Sequence, residues 1–223
     1  MDVGAEARDE GGMSLSLDAE RLWGAALALN RAAAAVSPRV ADLPPLLFFT
    51  DPERTPRPWE TAARLPAGAG VVYRHFGASD AAEAAARLRT VTREAGVRLL
   101  IGLDDTLAEA VGADGVHLPQ PALERAAPLK AAHPDWIVTG ALHGAAENLE
   151  ALDAVVLSPV FAAGGASSVR PALGLEGLSA LAARLAHPAY ALGGINAENA
   201  TNLIGGGACG IAGVDGIVAA FGG

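Results

Sequence analysis

Val111-Gly112-Ala113-Asp114-Gly115-Val116-His117-Leu118, read with Leu157-Ser158-Pro159-Val160-Phe161 and Ala191-Leu192-Gly193-Gly194-Ile195, decides the fold. Each stretch is a short apolar run stopped by glycine, proline or a polar residue. Such runs predict strands buried on both faces, which is the habit of parallel sheets. Working outward, further strands are expected at Leu46 to Asp51, Gly70 to Arg74, Arg98 to Leu103, Trp136 to Gly140 and Gly210 to Val214. Together with Gly115 to Leu118, Ala154 to Leu157 and Ala189 to Leu192 they make eight.

Helical segments alternate with them: Trp59 to Leu65, Asp80 to Ala95, Thr106 to Val111, Pro121 to Ala132, Ala145 to Ala151, Leu175 to Leu185, Ala197 to Ile204 and Asp215 to Phe221. Ser79 is expected to cap the second of these and Gly96 to close it. The alternation predicts a (β/α)8 TIM barrel, an α/β fold whose chemistry sits on the loops after the strand C-termini. Residues 1–40 form a separate leader: a disordered acidic tail over Met1 to Gly12, then a helix over Asp18 to Val36 with Leu22, Ala26 and Leu29 on one face. The leader packs either on the barrel edge or against a second copy in a homodimer. Residues 41–223 are the barrel.

Composition narrows the function. Hydrophobic residues make up 51% of the 223, enough for a large core, while aromatics are only 4%, so Ala, Leu and Val must fill it. A net charge of -9 argues against a nucleic-acid surface. The single cysteine, Cys209, excludes an intramolecular disulfide, points to a reducing compartment, and reads as a buried structural thiol. No stretch is long and apolar enough to span a membrane, and the acidic N-terminus is unlike a signal or transit peptide. A cytoplasmic location is expected.

Four motifs in order carry a family resemblance: Gly112-Ala113-Asp114-Gly115-Val116-His117-Leu118-x-Gln120, Ser158-Pro159-Val160-Phe161, Gly174-Leu175-Glu176-Gly177-Leu178 and Leu192-Gly193-Gly194-Ile195-Asn196-x-Glu198-Asn199-Ala200. From Leu46 onward the chain resembles the thiamine phosphate synthase/TenI superfamily. The resemblance implies a transferase of thiamine biosynthesis that joins an aminopyrimidine pyrophosphate to a thiazole phosphate with Mg²⁺, or a TenI-like tautomerase of a thiazole carboxylate phosphate without metal.

The departures choose between these. The family's Gln-x-Arg-x-Lys after strand two is Val72-Tyr73-Arg74-His75-Phe76, which keeps only the Arg. The two metal Asp positions fall on Leu103 and Ala122, which offer no oxygen ligand; Mg²⁺ is expected only if Asp104 contributes. The phosphate-holding Ser after strand eight is Asp215, whose carboxylate would repel phosphate unless it caps the last helix.

The candidate catalytic residue is His143, after strand five, where the resemblance places the TenI acid/base; a hydrogen-bonded loop histidine is the plainer reading. Arg74, Gly193 and Gly194 are the candidate phosphate ligands, with Ser167 and Ser168 closing over the site from the long loop that also carries Arg170. Arg74 could equally pair internally with Asp104 or Asp105, and the glycines could serve only the turn. His117 reads as a hydrogen-bonded core histidine, Phe76 as a packing residue that could instead stack on a heterocycle, Gln120 as part of the mouth and Asp51 as the cap of the turn into Pro52. The expected ligand is a phosphorylated thiazole or thiamine phosphate, with proton transfer by His143 favoured over Mg²⁺-dependent coupling. The alternatives are a non-catalytic barrel that binds a thiamine-related metabolite or a partner protein, and another phosphate-handling barrel enzyme.

Overall fold

Eight parallel strands close into a barrel in chain order: β1 (Leu46–Phe49), β2 (Gly70–Tyr73), β3 (Arg98–Gly102), β4 (Gly115–Leu118), β5 (Ile137–Leu142), β6 (Ala154–Leu157), β7 (Ala189–Leu192) and β8 (Gly210–Gly213). β1 pairs with both β2 and β8, which closes the ring. This is the expected TIM barrel. The computed structural model describes residues 15–144, 149–164 and 169–222.

The helices are α1 (Leu17–Ala34), α2 (Pro58–Ala62), α3 (Ala81–Glu94), α4 (Asp105–Val111), α5 (Ala126–Ala132), α6 (Gly174–Ala182) and α7 (Asp215–Phe221). Two expected helices are tighter. Pro121 turns Gln120–Arg125 into a 3-10 segment ahead of α5, and the segment after β7 is a 3-10 turn at Ala200–Leu203. Ser79 does not cap α3; Asp80 stands at the N-cap and its side chain makes no capping bond. Of the expected fifth helix, residues 145–148 lie outside the described residues, and Ala151 sits in a turn.

The period-two pleat sorts the strand residues. Leu46, Phe48, Val71, Leu99 and Ile101 point outward and share a core with the helices. Leu47, Phe49, Val72, Leu100, Val156, Tyr190 and Ala212 fill the barrel interior. Two polar groups are built into that interior and satisfied there. His117 Nδ1 meets Thr139 Oγ1 at 3.0 Å across paired positions of β4 and β5, and the Tyr190 hydroxyl donates to the Pro44 carbonyl at 2.6 Å. Cys209 is buried, and burial pushes its thiol up to about 12, which makes it inert as a nucleophile.

α1 lies along the outside of the barrel. Ser16 caps it by accepting from Ala19 N at 3.1 Å, and Leu22, Ala26 and Leu29 are buried in the outer core, as their spacing predicts. Its Asn30 amide reaches the Leu43 and Cys209 carbonyls, just ahead of β1 and β8. These bonds fix the helix beside the seam where the sheet closes.

Candidate functional site

All strands deliver their C-terminal loops to one end, the barrel mouth. Gly193 and Gly194 follow β7 with φ of 107° and 65°, conformations that favour glycine. A side chain would also collide with the loop after β6: a Cβ on Gly193 would lie 2.9 Å from Pro159, and one on Gly194 would strike the Ala162 carbonyl. The turn therefore needs both glycines for its own geometry. It also exposes backbone to a cavity of about 320 Å³ whose walls include Arg54, Arg74, Gly193, Gly194, Gly213 and Asp215.

Arg74 rises from the end of β2. Its backbone N–H donates to Thr50 Oγ1 at 2.9 Å and its Nε to the Thr50 carbonyl at 2.7 Å, so the stem is fixed to the neighbouring strand. The guanidinium carbon sits 5.3 Å from the Phe49 ring centre and 5.4 Å from that of Phe76. The expected alternative pairing with Asp104 or Asp105 is not what forms. Asp104 meets His75, Asp105 meets Arg125, and the carboxylate nearest Arg74 is Asp51, 4.0 Å from Nη2. That nitrogen is buried and makes no hydrogen bond. Burial pulls the Arg74 guanidinium down to about 10; Asp51 opposes the shift and Arg54 adds to it. It stays a cation at neutral pH.

Sequence reasoning missed Arg54. Its Nη1 donates to Asp215 Oδ2 at 2.9 Å and its Nη2 to Asp51 Oδ2 at 3.1 Å, so one guanidinium bridges the loops after β1 and β8. Asp51 Oδ1 also accepts from Glu53 N and Arg54 N, the expected turn cap. Burial alone would raise the Asp51 carboxyl, but the Arg54 bonds outweigh it and hold it below its ordinary value. Asp215 neither caps α7, whose N-cap is Val214, nor stands as an unpaired charge. The available signal was a cation three residues beyond the strand-one aspartate.

His143 stands at the same end, after β5, but is not part of that cavity's wall. Its backbone N–H donates to Gln120 Oε1 at 2.8 Å, a positioning role that the sequence did not assign to Gln120. Arg170 Nη1 lies 3.2 Å from its Nε2. Because Arg can only donate, Nε2 must accept, and the ring is the neutral tautomer with its proton on Nδ1. Nδ1 lies 3.2 Å from both the Ser158 carbonyl and Ser158 Oγ, either of which can accept that proton. His117, below, is fully buried and edge-on to Phe49 at 4.9 Å. Burial first, then the nearby Arg74 cation, pull it down to about 3. It is the satisfied core histidine expected.

Phe76 departs from its expected packing role. It is 72% exposed and holds φ at 48°, and Leu103 on the next loop is 45% exposed with φ at 66°. The loop is pinned on either side of Phe76. Gly77 N donates to His75 Nδ1 at 3.1 Å, so His75 Nε2 carries the proton that faces Asp104 Oδ2 at 3.4 Å. Ser167 and Ser168 lie outside the described residues.

The residues present do not fit a Mg²⁺ site. Asp104 Oδ1 caps α4 by accepting from Leu107 N, Oδ2 faces His75, and Ala122 supplies no donor. No group of three or more His, Cys, Asp or Glu among the described residues is arranged to hold a metal. Nor is any described helix long and apolar enough to cross a membrane.

A closed (β/α)8 barrel with a pocket at its strand C-termini has the arrangement in which TIM-barrel enzymes place their active sites. The comparisons with known proteins narrow the class. The family model described as thiamine monophosphate synthase (TMP-TENI) matches residues 47–217, and the chain belongs to that family. It is 36% identical over 165 residues to the thiamine-phosphate synthase of Chloroflexus aurantiacus, covering 71% of this chain and 76% of that one. It is 38% identical over 143 residues to that of Azorhizobium caulinodans, covering 62% and 68%. Among solved structures, a thiamine phosphate pyrophosphorylase from Pyrococcus furiosus superposes with a TM-score of 0.66 at 26% identity, covering 83% of this chain and 94% of that one.

Proposed function

We propose that this chain is an enzyme of thiamine biosynthesis that binds a thiazole phosphate or thiamine phosphate in the barrel mouth and moves a proton with His143. One observation carries the reading: Arg74 after β2 and the Gly193-Gly194 turn after β7, brought near each other by closure of the sheet through β1 and β8, wall a single cavity. A guanidinium and exposed backbone N–H groups are the standard means of holding phosphate without metal. The exposed Phe76 ring beside Arg74 offers a face to the ligand's heterocycle.

The proton step uses one nitrogen. Nδ1–H is held by Ser158, which orients the ring and leaves the Nε2 lone pair for work. Nε2 accepts a proton from one atom of the ligand and returns it to another, so the product is a tautomer and nothing is oxidised or reduced. Arg170 must leave Nε2 for this to occur, and an arriving phosphate is a better partner for it. Coupling to an aminopyrimidine pyrophosphate is disfavoured by the donor set. Phe76 stands where the resemblance puts the pyrophosphate lysine, and the metal positions lack ligands.

The test offers the purified protein a thiazole carboxylate phosphate tautomer in one arm. The other arm holds thiazole phosphate, aminopyrimidine pyrophosphate and Mg²⁺. Tautomerisation that His143→Ala abolishes while ligand binding survives is the expected result. Thiamine phosphate formation at a synthase-like rate would replace this reading with coupling. Binding without turnover in either arm would make the barrel a non-catalytic binder.

A further inference from the structure

The mouth pocket contains a second guanidinium, and its placement depends on the residue that looks least suited to an anion site. Arg54 and Asp215 both line the cavity that holds Arg74 and the glycine turn. Taken alone, a carboxylate on that wall would repel an anion. It is not alone. Asp215 takes Nη1 of Arg54 and Asp51 takes Nη2, so the fork is stretched between two anchors on different loops. Arg54 is less than one-third exposed, whereas Asp215 is 65% exposed. Burial would lower the Arg54 guanidinium, but the two carboxylates outweigh it and hold its value above normal.

We propose that Arg54 is an anion-binding residue of this pocket and that Asp215 is the positioning residue that keeps it on the wall. The inference rests on the proposed phosphate-binding role of the mouth and adds a specificity element to it. A fixed cation facing an entering phosphate gains a charge-assisted bond without first being ordered, which is the advantage of preorganisation. The Asp215 carboxylate then has two opposing effects. It repels the phosphate directly, and it supplies one of the two anchors, without which the Arg54 fork turns on Asp51 alone. Anchoring is the larger effect, because the repulsion is largely cancelled by the guanidinium already paired to it.

The opposing effects make a sign the decisive readout. Inorganic phosphate binding to the full chain is measured by calorimetry for wild type, Arg54→Gln, Asp215→Asn and the double variant. Wild type binds, and Arg54→Gln weakens binding by about tenfold. Asp215→Asn alone weakens binding by about threefold, because one anchor is lost. In the Arg54→Gln background the same substitution strengthens binding, because only repulsion remains to be removed. Arg54→Lys, which keeps the charge but cannot span two carboxylates, falls between wild type and Arg54→Gln. An Asp215→Asn that strengthens binding in both backgrounds would make Asp215 a simple repulsive charge and overturn the proposal, as would unaltered binding in Arg54→Gln. Failure of the wild type to bind phosphate would overturn the anion reading of the mouth, and this inference with it. Asp215 lies on the surface, so the Asp215→Asn arm reads binding even if Arg54→Gln proves unstable.

Discussion

The two ends of the barrel use charge in opposite ways. At the floor, carboxylates lock strands. Asp114 accepts from Leu99 N at 2.8 Å and from Arg89 at 2.7 Å, and Asp153 accepts from Val138 N at 2.7 Å and from Lys130 at 3.1 Å. Each carboxylate joins the strand before it to a cation on a helix, and its acceptors are taken up by the fold. At the mouth, the same kinds of group are left partly unspent. Arg74 has a nitrogen without a hydrogen bond, and Phe76 and Leu103 hold left-handed backbone while exposed to water. The difference teaches where stability ends and chemistry begins. The floor also keeps one buried nitrogen unpaired, Arg89 Nε, but its guanidinium is already bound to Asp114, whereas the carboxylate nearest Arg74 stands 4.0 Å away.

The comparison breaks first at the floor. Asp114→Ala strands the mostly buried Arg89 and leaves Leu99 N without its carboxylate, so we expect a loss of about 3 to 5 kcal/mol in urea unfolding. Ligand affinity of the remaining folded protein should not change. A cost under about 1 kcal/mol would mean that the floor pairs are ordinary surface ion pairs.

An effect of similar size, but spread over several pH units, is expected just beneath the mouth. His117 titrates near 3 when folded and near its ordinary 6.5 when unfolded. Between those values the unfolded chain holds the extra proton. The stability from its neutral burial is therefore complete above about pH 6.5 and is lost as pH falls toward 3, by up to about 1.4 kcal/mol per pH unit. In His117→Gln the acid limb of the stability–pH profile should flatten by one proton. An unchanged slope would show that His117 is not held neutral.

The smallest effects test the strain at the rim. Phe76→Gly and Leu103→Gly each remove a side chain from a left-handed position, and each should raise stability by about 0.5 to 1 kcal/mol in thermal unfolding, while Phe76→Gly weakens binding of a ring-bearing phosphate more than of inorganic phosphate. Destabilisation by both would mean that the rim residues serve the fold after all.

The scaffold was legible because its signals are local. Gly115–Leu118, Ala154–Leu157, Ala189–Leu192 and Asp215–Phe221 end where their apolar runs meet glycine, proline or a charge, and the structure has the same bounds. The helices that fell short did so where local and tertiary demands differ, as at Pro121 and at Ala200–Leu203. The site was legible only in part. Arg74, Gly193 and Gly194 follow strand ends directly, so their convergence follows from closing the sheet. The local half of the Arg54 bridge, to Asp51 three residues earlier, was there to be read, but the half that carries it across the mouth pairs with Asp215, 161 residues away, and no periodicity reports such a pair. Phe76 was misread because an aromatic just past a buried strand suggests packing, whereas it holds a left-handed φ and stands exposed.

The central claim is that phosphate binds at the mouth, on the glycine turn and under Arg74. Backbone amide resonances followed during titration with thiamine phosphate test it most directly. The largest shifts should fall on Gly193 and Gly194 and vanish in Arg74→Gln. Shifts concentrated around Asp114 and Asp153 at the opposite end, or none at saturating ligand, would contradict it.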